Sequence, residues 1–422
     1  MNIEKSNKIK EALRETRLKR QSQRCKVFEI KIDVSHLNKK EQEILKMFFV
    51  EAKWVYNYIL SQKDPFKYDY KTNPIKVMNK EGKLIKKELK YLPAKNRQDV
   101  VKILHQNIYA LSKIKKKKIK VGKLKFKSSY NSIDLSQYGT THKIVSGNRM
   151  KINGIKRPLR VKGLKQIKET YEIANAKLLK KPSGYYIKLT CFEYIKPEQI
   201  KKTGKEVGLD FGISRNITTS DGKIFNVFIE ETGRLKGLQT KMNRRQKKGS
   251  NNRYKTVLKI QKEYEKLNNR KKDISNKIVN YLLTNYDFVY MQDENLRGWQ
   301  KGRYGKAVQH SCMGSIKAKL KIAKNVVLVN KWFPSTKMCY QCGKMNEIDL
   351  SQRIYKCECG LEEDRDLKAS KTILHVGRCS NSYIPMGCRE FKPVEKMSDF
   401  LKSYDSKKQF SVKQEAQPFR VG

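Results

Sequence analysis

Residues 207–213 read Val-Gly-Leu-Asp-Phe-Gly-Ile, and the reading of the fold starts there. Val207 to Leu209 is a short apolar run of the kind a buried strand uses, and it ends in a carboxylate, Asp210. Residues 216–225, Asn-Ile-Thr-Thr-Ser-Asp-Gly-Lys-Ile-Phe, predict a hairpin turning at Asp221-Gly222. Residues 288–294, Phe-Val-Tyr-Met-Gln-Asp-Glu, give another strand that ends in carboxylates. A long charged helical region is expected between them, over 233–283. Further on, 306–324 reads as a helix and 326–332 as a strand. Four clustered cysteines come next, and Asp364-Arg-Asp366 then opens a last helix. From residue 203 onward the pattern is therefore α/β.

Upstream the signals differ. Residues 1–24 read as a basic tail or loose helix. Phe28, Ile30, Ile32 and Val34 alternate with Glu29, Lys31 and Asp33, the mark of a strand with one buried face. Asn38 followed by Glu41 predicts a helix N-cap with its capping partner. Leu45, Phe48, Ala52, Val55 and Ile59 then mark an amphipathic helix through about Leu60. Val100, Leu104, Ile108 and Leu111 place a second helix over 96–111. From residue 122 to 196 short alternating runs return, among them Tyr-Tyr-Ile-Lys-Leu-Thr at 185–190 after the Pro182-Ser-Gly184 turn. The expected organisation is a β-rich module (25–38 and 120–202) interrupted by a helical block (39–119). An α/β domain follows (203–334 and 361–376), with a cysteine-bearing insertion (335–360) and an irregular tail (377–422).

Charge gives the partner class. The 422 residues hold 95 Lys+Arg against 41 Asp+Glu, a formal net charge of +54. Such a chain repels itself and calls for a polyanion, and nucleic acid is the expected one. Twenty-two Tyr supply rings that can stack on unpaired bases. At 38% hydrophobic the chain can still bury a core, while no stretch approaches ~18 consecutive apolar residues, so no membrane span is expected. The first 24 residues hold eight Lys/Arg and three Glu with no apolar core, so a secreted protein is not expected either. The densest basic stretch is Lys113, Lys115, Lys116, Lys117, Lys118 and Lys120, with Lys125 and Lys127 shortly after. It reads as a solvated loop or as a nucleic-acid contact.

Asp210, Glu294 and Asp366 sit at the ends of two strands and in the first turn of a helix. Adjacent elements would bring the three carboxylates together, and clustered carboxylates need divalent cations. Mg²⁺ prefers such oxygen ligands, and two ions about 3.5–4 Å apart can activate a water and stabilise a leaving oxygen of a phosphodiester. Any one of these acids alone reads first as a cap or turn residue. The cysteines run Cys339-x₂-Cys342, fourteen residues, then Cys357-x-Cys359. Two chelating pairs suit one structural Zn²⁺ held by four thiolates, which leaves no open position for catalysis. The alternative is free or redox-active thiols. Cys25, Cys191, Cys312, Cys379 and Cys388 read as core or incidental thiols, and none of the five His is assigned a role.

Three motifs then carry a resemblance: Val-Gly-Leu-Asp-Phe-Gly-Ile at 207–213, Gln-Asp-Glu-Asn-Leu at 292–296 and Asp-Arg-Asp-Leu-Lys-Ala-Ser at 364–370. They occur in the order and spacing of the RuvC-like nuclease of the TnpB family, transposon-encoded RNA-guided DNA endonucleases related to compact type V CRISPR nucleases. The cysteines fall where that family carries its zinc-binding insertion, and Ser-Thr-Lys-Met-Cys-Tyr-Gln-Cys-Gly at 335–343 resembles its opening. The tail at 411–422 resembles C-termini in one branch. The likeness is clear over 204–376 and weaker before it. Phe28 to Val34, Trp54-Val-Tyr-Asn57 and Lys125-Phe-Lys-Ser128 fit the family's wedge and recognition parts.

The resemblance implies a multidomain α+β chain. Its parts would be an RNase H-like (RuvC) α/β nuclease with a zinc-ribbon insertion, preceded by a β-rich wedge module interrupted by a helical recognition block. It implies Asp210, Glu294 and Asp366 as catalytic ligands of two Mg²⁺, with Asp293 and Asp364 as the neighbours that are not. It implies Cys339, Cys342, Cys357 and Cys359 around one Zn²⁺. Guide RNA and double-stranded target DNA would be the partners of a monomer in the prokaryotic cytoplasm, at the nucleoid. The chain departs from the family twice: its second cysteine pair is one residue short of C-x₂-C, and Lys368 stands where the family usually has Asn. Competing readings are an RNA-guided repressor that binds without cutting, against which the intact acids speak, and an RNA-independent transposase or resolvase, for which no Ser or Tyr recombinase signature is present.

Overall fold

The strand read at Phe28 to Val34 is the middle of a larger sheet in the computed structural model, which describes residues 3–79, 81–194, 203–349 and 351–380. The chain divides into two compact units, Met1–Gln199 and Ile200–Gly422. In the first, strand Gln23–Asp33 pairs antiparallel with Gly184–Tyr194 on one side and Leu159–Lys162 on the other, within a seven-stranded sheet. Ile30 and Ile32 are buried and Lys31 between them is exposed, as the alternation requires. Asn38 and Glu41 form the predicted capping box of helix Lys39–Leu60. That helix buries Leu45, Phe48, Ala52, Val55 and Ile59 in the unit's core.

Three expectations for this unit are corrected. Of the basic tail or loose helix read over 1–24, the helix is formed, Ile3–Gln21, but the strand already begins at Gln23. Arg20 and Lys19 both pair with Glu172, which ties the helix end to the sheet. The second helix runs over Ala94–Lys116, so the first lysines of the basic run belong to its exposed last turn. The apolar stripe ends at Leu111 because the final turn packs on nothing. A hairpin, Ile75–Met78 with Leu84–Lys87, also lies inside the block read as helical.

The second unit is built on a five-stranded mixed sheet. Glu206–Phe211 is central. It pairs parallel with Phe288–Gln292, which pairs parallel with Val326–Val329. On its other side lie Ile217–Thr219 and then Ile224–Phe225, both antiparallel, joined at the predicted Asp221-Gly222 turn where Gly222 has φ +86°. Counted in chain order, the strands lie 3-2-1-4-5. Helix Arg365–Ser380 crosses the sheet at close quarters. A Cβ on Gly208 would fall on the Ser370 carbonyl and the Leu374 amide, and one on Gly377 would fall on the Tyr290 ring. Only glycine at these two points lets the helix lie against the first and fourth strands.

Two helical readings are corrected here as well. The charged region is two helices, Gly233–Arg244 and Asn251–Asn285. Gly249 takes φ +85° between them, and Ser250 caps the second by accepting from the Arg253 amide. The helix expected over 306–324 is Gly305–His310 and Met313–Leu320. Its break follows from the Ile229 amide, which donates to the His310 carbonyl at 3.0 Å and takes an acceptor the helix would have used. The tail read as irregular from Gly377 is helical to Ser380 and otherwise lies outside the described residues. Among the described residues no helix is long and apolar enough to cross a membrane.

Candidate carboxylate site and metal centre

The sheet brings the sequence-predicted acids to one end. Leu209 pairs with Met291, so Asp210 ends the central strand beside the end of its parallel neighbour. Glu294 follows that neighbour by two residues, and Asp366 lies in the first turn of the helix that crosses Gly208. All three are partly buried. They stand further apart than a preformed metal cage. Among the described residues, the one group of three or more His, Cys, Asp or Glu whose ligand atoms all lie within 4.8 Å is the four cysteines.

The neighbouring acids have other work. The Asp364 carboxylate accepts from the amides of Asp366 and Leu367, capping the helix, and takes an ion pair from Arg215 at 2.8 Å. Asp293 pairs with Lys321, whose ammonium holds its carboxyl below the usual range. The Asp366 carboxylate forms ion pairs with Arg365 (3.5 Å) and Arg353 (3.9 Å). Carboxylate oxygens at the end of a sheet are the donor set that Mg²⁺ prefers.

Sequence reasoning missed two buried lysines. Lys317 is 5% exposed; its Nζ donates to the Glu294 carbonyl at 2.7 Å and lies 5.7 Å from the Phe211 ring centroid. Burial pushes its ammonium below the usual lysine range, against the pull of Glu294 and Asp293. Lys368 is fully buried; its Nζ donates to the carbonyls of Ser335 (3.1 Å), Thr336 (2.6 Å) and Met338 (2.8 Å) and sits 3.8 Å over the Tyr355 ring. Burial pushes it down to about 8, opposed by Cys339, Asp210, Cys357 and Glu363. The visible signal was helical period. Lys317 falls among Met313, Ile316 and Leu320, and Lys368 in line with Thr372 and Val376, all buried positions.

The cysteine module is compact. Strands Ile354–Lys356 and Glu362–Asp364 form a hairpin that brings the second pair to the first. Cys339 Sγ lies 3.7 Å from Cys359 Sγ, and Cys342 Sγ 3.6 Å from Cys357 Sγ. A tetrahedral ion with Zn–S bonds of ≈ 2.3 Å sets its sulfurs about 3.8 Å apart, so the four thiols fit zinc despite the short second pair. Gly343 takes φ +74°, and its amide donates to the Cys339 carbonyl at 3.0 Å, closing the first chelating turn.

In the other unit, Lys113, Lys115, Lys116, Lys117, Lys118 and Lys125 are exposed. Among the described residues none of them makes an ion pair. Lys127 differs: its ammonium lies 4.0 Å from the Tyr56 ring centroid and 4.3 Å from that of Tyr130, and burial lowers its pKa. It packs inward rather than facing a partner.

Comparison with known proteins falls on the same parts. Residues 190–299 match the OrfB_IS605 family model, described as "Probable transposase". Residues 314–373 match the Cas12f1-like TNB domain. A protein of Streptomyces pristinaespiralis, provisionally named an RNA-guided DNA endonuclease, is 28% identical over 236 residues, 53% of this chain and 58% of that relative. TnpB-like protein L79 of Acanthamoeba polyphaga mimivirus is 47% identical over 58 residues, 14% of this chain and 11% of that relative. The chain thus spans less than two thirds of these curated relatives. A Cas12f1–sgRNA–target DNA complex solved by cryo-EM aligns over 80% of this chain and 83% of its own, with TM-score 0.43 and 13% identity. Two family models fall in order on the mixed sheet and on the cysteine module, and the likeness to the TnpB family read from the motifs is established on both.

Proposed function

We propose that the chain is an RNA-guided DNA endonuclease. The observation that carries this reading is the 3-2-1-4-5 sheet with one acid ending its central strand, a second just past the fourth strand, and a third in the helix laid across Gly208. In this reading 203–334 and 361–376 are an RNase H-like nuclease and 335–360 its zinc-binding insertion. Residues 25–38 and 120–202 are the wedge, and 39–119 the recognition block. Asp210, Glu294 and Asp366 hold two Mg²⁺, which supply an activated water and a stabilised leaving oxygen when bound. Asp364 fixes the helix start that carries Asp366, and Lys317 holds the backbone at Glu294. Guide RNA pairing selects the DNA strand, and the protein reads a short flanking motif. The displaced and paired strands are cut in turn at this one site, by a monomer in the prokaryotic cytoplasm.

Purification tests the reading. The protein should carry a discrete structured RNA, and DNA matching that RNA should be cut in Mg²⁺ but not in EDTA. Protein that is free of RNA and cuts regardless of sequence would be a transposase or resolvase instead.

The exposed lysines allow a separate check. Replacing Lys115 to Lys118 with Gln should weaken nucleic-acid binding equally for all guide sequences. It should also flatten the slope of log affinity against log salt by about 0.7–0.9 for each phosphate that is no longer neutralised. An unchanged slope would make the run a solvated helix end and turn.

A further inference from the structure

The cysteine module and the carboxylates share one segment, residues 330–338. It leads from the last strand of the sheet into the first cysteine pair, and two buried side chains hold it, one from a strand and one from a helix. From the strand, Gln292 Nε2 donates to the carbonyls of Asn330 (3.1 Å), Lys331 (3.3 Å) and Phe333 (2.6 Å), and its Oε1 accepts from Ser335 Oγ at 3.1 Å. From the helix, Lys368 donates to the carbonyls of Ser335, Thr336 and Met338. Thr372 Oγ1 adds a longer bond to Met338. Gln292 is two residues before Glu294, and Lys368 is two residues after Asp366.

We propose that this clamp makes the zinc module a positioning device for the carboxylate site: Gln292 and Lys368 register the backbones of Glu294 and Asp366 against a segment that zinc holds in place. The inference rests on the nuclease reading for its consequence and on the hydrogen bonds for its mechanics. Every donor of the Lys368 ammonium goes to a backbone carbonyl, and none of these bonds is to a carboxylate. A buried cation used this way fixes geometry, since Ser335 and Thr336 belong to irregular backbone and Met338 to a single bridge with Met345. Its last face rests on Tyr355, whose hydroxyl donates to the Lys337 carbonyl at 3.3 Å, two residues before Cys357. The segment that leads into the first cysteine pair and the strand that leads into the second therefore meet at Lys368. A zinc centre of four thiolates carries two net negative charges, which also suits the ammonium beside it. With zinc gone, the segment loses its anchor and the two acids lose their shared reference. Gln292 and Lys368 touch no reacting atom and act only through the acids.

The test uses the full chain and binding of Mn²⁺ alone, read by electron paramagnetic resonance. Lys368→Met, which keeps the apolar stem and removes the donors, should weaken Mn²⁺ binding by about tenfold, as removal of a supporting hydrogen bond at a metal site does. It should speed zinc release to a chelator and leave nucleic-acid affinity within about twofold. Lys368→Gln, retaining two donors, should recover part of both losses. Wild-type Mn²⁺ binding and zinc retention in Lys368→Met would overturn the proposal. Should that variant not fold, hydrogen exchange on wild-type protein decides. Zinc extraction should raise exchange at 290–294 and 365–372 together with 335–360, and a rise confined to 335–360 would overturn the coupling. If wild-type protein binds no Mn²⁺ at Asp210, the nuclease reading fails, while the exchange result still answers for the clamp.

Discussion

Asp210→Ala is expected to lower cleavage of guide-matched DNA by at least about a thousandfold, with target binding nearly unchanged. The size follows from the role proposed for the residue. A carboxylate that holds a metal ion at the reacting phosphate contributes several kcal/mol of transition-state stabilisation, and each ~1.4 kcal/mol is tenfold in rate. In the proposed function binding rests on different groups, the lysines that would contact phosphate and the pairing of guide with target. Asp210 ends a buried strand whose own pairing runs through backbone, so its side chain can be removed without undoing the sheet. Glu294→Ala should behave alike. Asp293→Ala is the informative control, because Asp293 is already paired with Lys321. It should keep most of the activity. Single-turnover cleavage beside a binding isotherm separates the two effects. Full cutting by Asp210→Ala would remove this carboxylate from the chemistry, and equal loss of binding and cutting would mean that the sheet had been damaged.

The parts of the fold and of the site legible in the sequence were those set by local chemistry. The apolar run before Asp210, the Asp-Gly turn at 221–222 and the Asn38–Glu41 cap each depend on a few neighbouring residues, and each is formed as read. The choice of Asp366 over Asp364 came from the resemblance; in the structure Asp364 caps the helix that carries Asp366. What escaped was fixed at long range. The break at Ser311 depends on Ile229, which arrives from more than eighty residues upstream to take the His310 carbonyl. Gly208 and Gly377 look like any other glycines until a helix is laid on them. Lys368 reads in the sequence only as a departure from the family's usual Asn at a helix start. Its burial under three carbonyls and a tyrosine ring could be foreseen only by noticing that it shares a helical face with Thr372 and Val376. Lys127 is the converse case, a member of a basic run turned inward by Tyr130 three residues on and by Tyr56 of helix Lys39–Leu60.

Cys339→Ser should release the zinc and unfold the module around it. The wild-type chain is expected to hold one zinc, counted by metal analysis against protein concentration, because its four sulfurs already stand at the separations a tetrahedral ion requires. Cys339 is the ligand whose loss is felt most. It is fully buried, its amide donates to the Lys344 carbonyl at 2.9 Å, and its carbonyl receives the Gly343 amide, so the first chelating turn is built on it. Structural zinc binding is worth about 10–16 kcal/mol in small zinc-folded peptides, far more than the short hairpin of 354–364 can replace. Limited proteolysis should therefore cut Cys339→Ser between 335 and 360 while the first unit stays resistant. Cys25→Ser, at an exposed thiol far from the cluster in sequence, should change neither metal content nor proteolysis. Cleavage by Cys339→Ser should fall as well, because the segment clamped by Gln292 and Lys368 loses its anchor. Active wild-type protein free of zinc would refute the assignment. A zinc-free Cys339→Ser that kept the wild-type proteolytic pattern would instead show that the hairpin and the Lys368 contacts hold the module without metal.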